Sequence, residues 1–167
     1  MEIATQKARA YAEAGREALR ALQDQEVVPV YLIGEDSGLD VDAFPDLMGV
    51  RSKRWHPGTD QDRVQELLRR MAEVQEHLRT GHYTCGMVAI TPSGTVVWQH
   101  AATCQVHITT QSRGSEGFGY DPITAPMGQV GGAHVTFGMM RPGIKTRFSH
   151  RALATTQLAE WLKNHRR

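Results

Sequence analysis

Apolar residues recur at intervals of three and four in three segments of the chain, which is the spacing of one helix face. The first segment covers residues 2 to about 23 and is weakened at Gly15. The second follows the capping oxygens of residues 59–62 and continues to Gly81, which we expect to end it as a C-cap. The third begins at Ser149, a favourable N-cap residue. This pattern predicts three amphipathic helices.

Runs rich in β-branched and apolar residues predict strands between these helices. Residues 27–33 are almost continuously apolar, which is typical of a strand covered on both faces. Residues 83–90 and 95–109 flank a Thr-Pro-Ser-Gly turn and predict a hairpin. A further short strand is expected over residues 136–140.

The order of these elements predicts an α/β fold, with a mixed, twisted β-sheet flanked by helices. Residues 39–58 are interrupted by prolines and glycines and predict a long ordered loop. Residues 112–119 and 125–132 predict two Gly-rich loops. No internal repeat or linker divides the chain, so we expect one domain over residues 1–167.

Composition and charge narrow the class of protein. Of the 167 residues, 40% are hydrophobic and 22% are charged, which is enough for a packed core. Nineteen basic against 18 acidic residues give a net charge of +1, and this balance argues against a nucleic acid polymer as partner. The longest apolar run is too short to span a membrane and no signal peptide is visible, so we expect a cytoplasmic protein. Cys85 and Cys104 are too few for a disulfide framework and predict two small thiols in the sheet.

The acidic stretch Glu35–Leu39 follows the predicted strand and is the first candidate site. Ligand sites of α/β sheets form at the carboxyl ends of strands, where we expect this stretch to begin a loop. Carboxylates such as Asp36 can hold Mg²⁺ or accept a proton from water, and Gly38 lets a ligand approach the backbone. The alternative is a loop with two solvated acids.

The Gly-Phe-Gly-Tyr-Asp-Pro stretch of residues 117–122 is the second candidate. It lacks the third glycine and the helix of a Rossmann phosphate loop, which excludes that interpretation. Aromatic rings on a loop suit stacking on a nucleobase, whereas the alternative is a tight turn with a core-anchoring aromatic. Ser149–Arg151, at the start of the last helix, could bind an anion or could be a simple cap. Lys7 and Lys145 are candidate cations, although most such lysines are solvated.

Taken in order, these segments resemble the inosine triphosphate pyrophosphatase family. The resemblance covers nearly the whole chain and rests on these stretches: Glu2-Ile3 with Gln6-Lys7-Ala8, Glu35–Leu39 with Val41-Asp42, Gly49–Ser52 with Arg54-Trp55, Tyr83–Cys85, Gly117–Ile123, Thr136-Phe137, Lys145 and Ser149–Ala152. The resemblance implies an elongated, two-lobed fold and usually a homodimer. It also implies Mg²⁺-dependent hydrolysis of ITP, dITP or XTP to the monophosphate and pyrophosphate.

The resemblance also implies a role for each matching residue. Asp36 corresponds to the general base and to a carboxylate of the metal site. Glu35 is our second candidate for the metal site, where it could replace contacts of the segment that precedes the match in family members. Lys7 and Lys145 correspond to triphosphate contacts, with Lys7 part of the catalytic machinery. The remaining substrate contacts implied by the family are Ser37, Gly38, Phe118, Gly119, Tyr120, Asp121, His150 and Arg151. Of these, the 118–121 stretch corresponds to the nucleoside loop, and the last two correspond to purine recognition.

These roles suit the chemistry. Water attacking an α-phosphorus needs a base, a metal ion and cations on the departing pyrophosphate. A donor such as Arg151 can form a hydrogen bond to the 6-oxo acceptor of hypoxanthine. Adenine carries an amino group at this position, so the same donor would stay unpaired. We further expect the catalytic carboxyl group, the aromatic turn and the start of the last helix to face one crevice.

The match to the family starts at the Glu2 helix, after the strand, Thr-x-Asn-x-x-Lys loop and acidic segment with which members begin. Met139 stands where members commonly have glutamate, and Thr124 where they have phenylalanine. A truncated N-terminus would leave a strand edge open, and we therefore expect a homodimer. Two alternatives follow from these departures: an enzyme of the same fold with another substrate or reaction in specialised metabolism, and a non-catalytic nucleotide-binding protein.

Overall fold

The structure, a computed structural model, describes residues 1–17, 19, 29–129 and 134–165. Among these residues the helices are α1 (Glu2–Ala14), α2 (Asp60–Arg70), α3 (Pro142–Lys145) and α4 (His150–Asn164). The strands are β1 (Leu32–Val41), β2 (Thr80–Ile90), β3 (Val96–Ile108) and β4 (Thr124–Pro126). Short 3-10 helices cover Glu76–Leu78, Asp121–Ile123 and Phe137–Met139. No helix in the described ranges is long and apolar enough to cross a membrane.

The four strands form one sheet in the order β1-β2-β3-β4. A tight turn joins β2 to β3, in which the Gly94 N–H donates to the Thr91 carbonyl at 2.9 Å, as the predicted hairpin requires. Strands β3 and β4 are antiparallel, and His107 is paired with Ala125. A sheet with accompanying helices confirms the predicted α/β class.

The chain divides into two compact units. The first contains Met1–Ser37, Cys85–Ala102 and Leu153–Arg167, and the second contains Gly38–Thr84 and Thr103–Ala152. The expectation of one domain over residues 1–167 stays a prediction.

In the first unit, successive side chains of β2 point to opposite faces of the strand and pack into two different hydrophobic clusters. Val88 and Ile90 pack against the alanines of α1. Cys85, Met87 and Ala89 pack against Ala154 and Leu158 of α4. The sheet of this unit is therefore covered by a helix on each face. Cys85 is a free thiol in the sheet, as predicted, and so is Cys104 in the second unit. Both are buried.

Helix α1 lies close to β1 because β1 carries a glycine at the contact. A Cβ atom on Gly34 would lie 2.0 Å from the Ala4 carbonyl oxygen and 2.9 Å from the Ala8 Cβ. The small side chains of α1 and the missing side chain at position 34 therefore set the distance between helix and strand.

Replacing Gly34 with alanine should lower the free energy of unfolding by about 1–3 kcal/mol, because helix and strand must move apart to admit a methyl group. Gly143→Ala is the matched control, since nothing lies within 4 Å of the Cβ position there. Urea denaturation of the two variants checks this, and equal stabilities would contradict the account.

The second unit has its own core, in which the largest fully buried side chains include Phe137, Leu39 and Leu67. Helix α2 begins as predicted, since the Thr59 hydroxyl accepts from the Asp62 N–H at 3.2 Å and the Asp62 carboxylate accepts from the Thr59 N–H at 2.7 Å. This reciprocal capping box satisfies two of the free N–H groups of the first turn.

The end of α2 differs from the prediction because of a buried arginine. Arg79 is 2% exposed and donates hydrogen bonds to the carbonyls of Met71, Ile108 and Thr109. These bonds satisfy carbonyls at the end of the helix and of β3, so the helix stops at Arg70 rather than near residue 78. The expected C-cap role of Gly81 is wrong: Gly81 lies in β2, where a Cβ would be 2.4 Å from the Asp40 carbonyl oxygen.

Three further sequence predictions are corrected or fall outside the described residues. The expected strand over 136–140 is wrong, since Phe137–Met139 is a 3-10 helix whose Gly138 fits closely against Arg113 and Pro122. The expected loop over 125–132 begins instead as strand β4. Parts of the first helix, of the strand at 27–33 and of that loop fall on residues 18, 20–28 and 130–133, which lie outside the described residues.

Candidate functional site

The acidic stretch Glu35–Leu39 lies inside a strand, and the expectation that it begins a loop is wrong. Strand β1 runs from Leu32 to Val41 and includes the whole stretch. The main-chain pairing of β1 with β2 does not depend on side-chain polarity, and Gly38 allows a close approach: its Cβ would lie 2.4 Å from the Gly49 carbonyl oxygen. The candidate carboxylates are therefore held by a sheet, which positions them more rigidly than a loop would.

Asp36 and Lys7 form an ion pair in the first unit. The Lys7 Nζ lies 2.6 Å from Asp36 Oδ1 and also donates to the Glu35 carbonyl oxygen at 3.1 Å. The Asp36 side chain is 18% exposed and that of Lys7 is 48% exposed. A carboxylate that solvent can reach, beside a cation on α1, can accept a proton or hold a hard metal ion.

Glu35 lies on the other side of β1. Its carboxylate accepts a hydrogen bond from the Ser37 hydroxyl and another from the Cys85 thiol, whose Sγ is 3.4 Å away. Successive residues of a strand point to opposite faces, so Glu35 and Ser37 share one face while Asp36 lies on the face of α1. The structure thus does not bring the Glu35 and Asp36 carboxylates together on one ion, as the predicted metal site requires.

In the second unit, Asp121 holds the loop of residues 117–122, called the aromatic loop below, through hydrogen bonds of its side chain. Its carboxylate is buried and accepts from the Phe118 N–H at 2.7 Å and from Lys145 Nζ at 2.5 Å. Gly117 has a φ of +80°, and a Cβ there would collide with the Asp121 carboxylate. Glycine is thus required at this position both for conformation and for space.

Phe118 presents an exposed ring beside two cations. The side chain is 62% exposed although it belongs to an ordered turn. Lys145 Nζ lies 4.7 Å from the ring centroid and Arg151 Cζ lies 5.5 Å from it. An exposed ring with two donors beside it can stack on a flat heterocycle and donate hydrogen bonds to its edge.

Tyr120 faces inward. Its hydroxyl donates to the Ser52 carbonyl at 2.6 Å and accepts from Trp55 Nε1 at 2.5 Å. Burial raises the pKa of this phenol to about 12. The geometry gives Tyr120 an anchoring position under the loop, while Gly119 donates its N–H to Asp60 of α2 at 3.2 Å. The Arg63 guanidinium, hydrogen-bonded to Asp60, lowers the pKa of that carboxyl group and keeps it charged.

The start of α4 is capped as predicted, since the Ser149 hydroxyl accepts from the Ala152 N–H at 3.3 Å. His150 stacks on Tyr83 with ring centroids 4.7 Å apart and planes 8° apart. Tyr83 is partly buried and packs against the core of this unit. Desolvation of its phenol raises the pKa of that group, and its hydroxyl pairs with Thr124 at 3.1 Å. The stacking fixes the orientation of the His150 ring.

The structure thus groups the predicted site residues within each unit. One unit holds Lys7 with Asp36, and Glu35 with Ser37 on the other face of the strand. The other unit groups Phe118, Asp121, Lys145 and Arg151. Sequence reasoning gave no site role to Trp55, Asp60 and Tyr83, which hold the loop and the histidine. In the sequence, Trp55 reads as an aromatic in a loop, Asp60 as an acid at a helix start and Tyr83 as an aromatic in a strand. Ordinary structural residues give the same signals.

Comparison with known proteins assigns the family. The sequence pattern of the Ham1 family matches residues 1–161. A dITP/XTP pyrophosphatase of Oceanobacillus iheyensis is 34% identical over 147 residues, which are 87% of this chain and 72% of that protein. A dITP/XTP pyrophosphatase of Cutibacterium acnes is 34% identical over 135 residues, and the match spans 80% of this chain but only 65% of the relative.

Solved structures agree with the sequence comparison. The Ham1 protein of Staphylococcus aureus superposes with a TM-score of 0.70 at 26% identity, over 80% of this chain and 67% of that one. A nucleoside-triphosphatase, or dITP/XTP pyrophosphatase, of Mycobacterium abscessus gives 0.67 at 29% identity, over 93% and 71%. These matches confirm the resemblance drawn from the motifs, and the chain belongs to the Ham1 family.

Proposed function

We propose that this protein hydrolyses non-canonical purine nucleoside triphosphates, with ITP, dITP and XTP as the substrate class, to the monophosphate and pyrophosphate. The observation that carries the proposal is an ion pair: the solvent-accessible carboxylate of Asp36, on strand β1, is paired with Lys7 of α1. Membership of the Ham1 family and its similarity to dITP/XTP pyrophosphatases support the same chemistry.

In this proposal Asp36 accepts a proton from the attacking water. The water oxygen adds to the α-phosphorus, and the bond from that phosphorus to the α–β bridging oxygen breaks, so that pyrophosphate leaves. Lys7 holds Asp36 in place and offsets negative charge on the triphosphate.

Mg²⁺ fits the donor chemistry of Asp36, because this ion binds one or two carboxylates together with substrate phosphates. When bound, it would neutralise charge on the phosphate oxygens. Asp36 is the residue we propose to hold it. Glu35 is left out of the set because its carboxylate lies on the opposite face of β1, bonded to Ser37 and Cys85.

The base-binding group comprises Phe118, Lys145, His150 and Arg151. The resemblance implies a triphosphate contact for Lys145, and we include it here because its Nζ lies 4.7 Å from the Phe118 ring centroid. Phe118 stacks on the purine, and a base seated on its ring lies within reach of the cations beside it. Those donors favour the 6-oxo group of hypoxanthine and xanthine, whereas the amino group of adenine leaves them unpaired, at a cost of about 1–3 kcal/mol per group. Asp121 holds both the Phe118 backbone and Lys145 in position.

We also propose a cytoplasmic homodimer. Among the described residues β1 is an edge strand, covered near its end by an antiparallel bridge from Leu39 to Gly49. An edge of this kind offers main-chain groups to a second chain. Light scattering at micromolar concentration should give twice the mass of the chain, and a stable monomer would contradict the dimer.

Pyrophosphate release tests the proposed activity directly. The full chain is incubated with Mg²⁺ and ITP, dITP, XTP, GTP or ATP in turn, and we expect hydrolysis of the first three with kcat/KM values at least tenfold above that for ATP. Protection of the chain against thermal unfolding by ITP without hydrolysis would favour a non-catalytic binding protein. Absence of both effects would favour another substrate.

Replacing Phe118 with alanine should raise the KM for ITP by about 5–150-fold, since stacking on an aromatic ring is worth about 1–3 kcal/mol per base. The ring is mostly exposed, so the fold should keep its melting temperature. Steady-state kinetics check this against Tyr11→Ala, which removes an equally exposed ring on α1. An unchanged KM in F118A would remove Phe118 from the base-binding group.

A further inference from the structure

Two histidines and a glutamate converge in the second unit, apart from the residues of the proposed site. His107 of β3, His134 and Glu76 of the first 3-10 helix each place one ligand atom within 4.8 Å of those of the other two. His107 Nε2 lies 2.9 Å from Glu76 Oε1, and the two imidazole rings stack with centroids 4.0 Å apart.

His107 is the unusual member of this cluster. Its side chain is 8% exposed, whereas that of Glu76 is 64% exposed. The contact between them is short but lacks the direction of a hydrogen bond, and the buried Nε2 atom has no hydrogen-bond partner among the described residues. A buried polar atom in this condition costs stability unless something else satisfies it.

The charged and titratable groups that face His107 are the His134 ring, the Glu76 carboxylate and the Arg79 guanidinium. Arg79 directs its N–H groups to three carbonyls and donates none to His107 Nε2. A neutral imidazole nitrogen is a metal ligand, and the Glu76 carboxylate supplies negative charge.

We propose that Glu76, His107 and His134 form a binding site for a transition-metal ion of the Zn²⁺ class. Imidazole and carboxylate ligands suit Zn²⁺, whereas Mg²⁺ requires oxygen ligands. Ligands of one Zn²⁺ ion lie about 3.3 Å apart, because each bond is about 2.0–2.2 Å long. The ligand atoms lie within 4.8 Å of one another and would close to that spacing around a bound ion. The ion would tie the first 3-10 helix and strand β3 to His134.

Zinc titration of the full chain tests this site without nucleotide, so its outcome is separate from that of the proposed activity. After treatment with a chelator, calorimetry with ZnCl₂ should show one equivalent bound. Free Zn²⁺ at about 100 times Kd should raise the melting temperature by about 5–10 °C. The same concentration of MgCl₂ should leave it unchanged. Bound Co²⁺ should give visible absorption bands of a site with nitrogen ligands.

The variants His134→Ala and Glu76→Gln alter exposed side chains and should fold normally, which circular dichroism verifies. Each should lower Zn²⁺ affinity at least tenfold and remove the cobalt bands. His100→Ala, a partly exposed histidine of the first unit, is the matched control and should bind as the unaltered chain does. Failure to bind one equivalent, or equal binding by H134A and the unaltered chain, would overturn the proposal.

Discussion

Replacing Asp36 with asparagine is expected to lower kcat for ITP hydrolysis by about 10²–10⁴-fold, the usual contribution of a general base. Asparagine has the same shape and can still accept a hydrogen bond from Lys7, but it cannot take a proton from water at neutral pH. Loss of a partly exposed ion pair costs about 0–1 kcal/mol, so the melting temperature should change by only a few degrees. Pyrophosphate release and thermal unfolding on the same preparation check both statements.

Asp46→Asn is the control for this experiment. Asp46 is an exposed carboxylate in the loop after β1, and its conversion to the amide should leave kcat unchanged. Turnover of D36N at the rate of the unaltered chain would remove Asp36 from the base role. A large fall in melting temperature would mean that the residue is chiefly structural.

Replacing Lys145 with methionine should affect both stability and activity. The Asp121 side chain is 6% exposed, and without the ammonium group its carboxylate becomes a buried charge without its cation. We expect a loss of about 1.5–3 kcal/mol in the free energy of unfolding, the range for a hydrogen bond to a charged group. This loss of stability is smaller than that expected for breaking a fully buried ion pair, because the Lys145 side chain is 20% exposed. The kcat/KM for ITP should fall by about 10–150-fold.

The double variant Asp121→Asn with Lys145→Met separates the two effects. Asparagine keeps an acceptor for the Phe118 N–H and carries no charge, so stability should recover most of the loss seen in K145M. Activity should stay low, because the cation beside the Phe118 ring is still missing. Recovery of activity together with stability would show that Lys145 acts only by supporting the fold.

Sequence patterns predicted those elements whose signals are local. The capping box at Thr59 and Asp62, the turn at residues 91–94 and the cap at Ser149 each depend on a few neighbouring residues, and all three are confirmed. Helix spacing also located α1 and α4, since a buried face repeats along the sequence itself.

The elements that were predicted wrongly depend on contacts between distant residues. The residues around Gly81 give no sign that β1 packs closely against this glycine. The residues around Arg70 likewise give no sign that Arg79, nine positions later, donates a hydrogen bond to the Met71 carbonyl. Strand β1 continues through Glu35 and Asp36 because β2 pairs with its backbone. Such tertiary contacts override local preference.

The same distinction applies to the site. The motifs identified Asp36, Lys7, Phe118, Asp121 and Lys145 as residues of interest, but not which of them pair with one another. The pairing of Asp36 with Lys7 joins a strand to a helix 29 positions away. The separation of Glu35 from Asp36 follows from strand geometry, and only the correct assignment of β1 reveals it.

The central claim, attack of water on the α-phosphorus with Asp36 as base, is tested most directly by hydrolysis of ITP in ¹⁸O-labelled water. Mass spectrometry of the products should find one labelled oxygen in the monophosphate and none in pyrophosphate, at a rate that D36N lowers by about 10²–10⁴-fold. Label in the pyrophosphate, release of orthophosphate, or undiminished labelling by D36N would contradict the account.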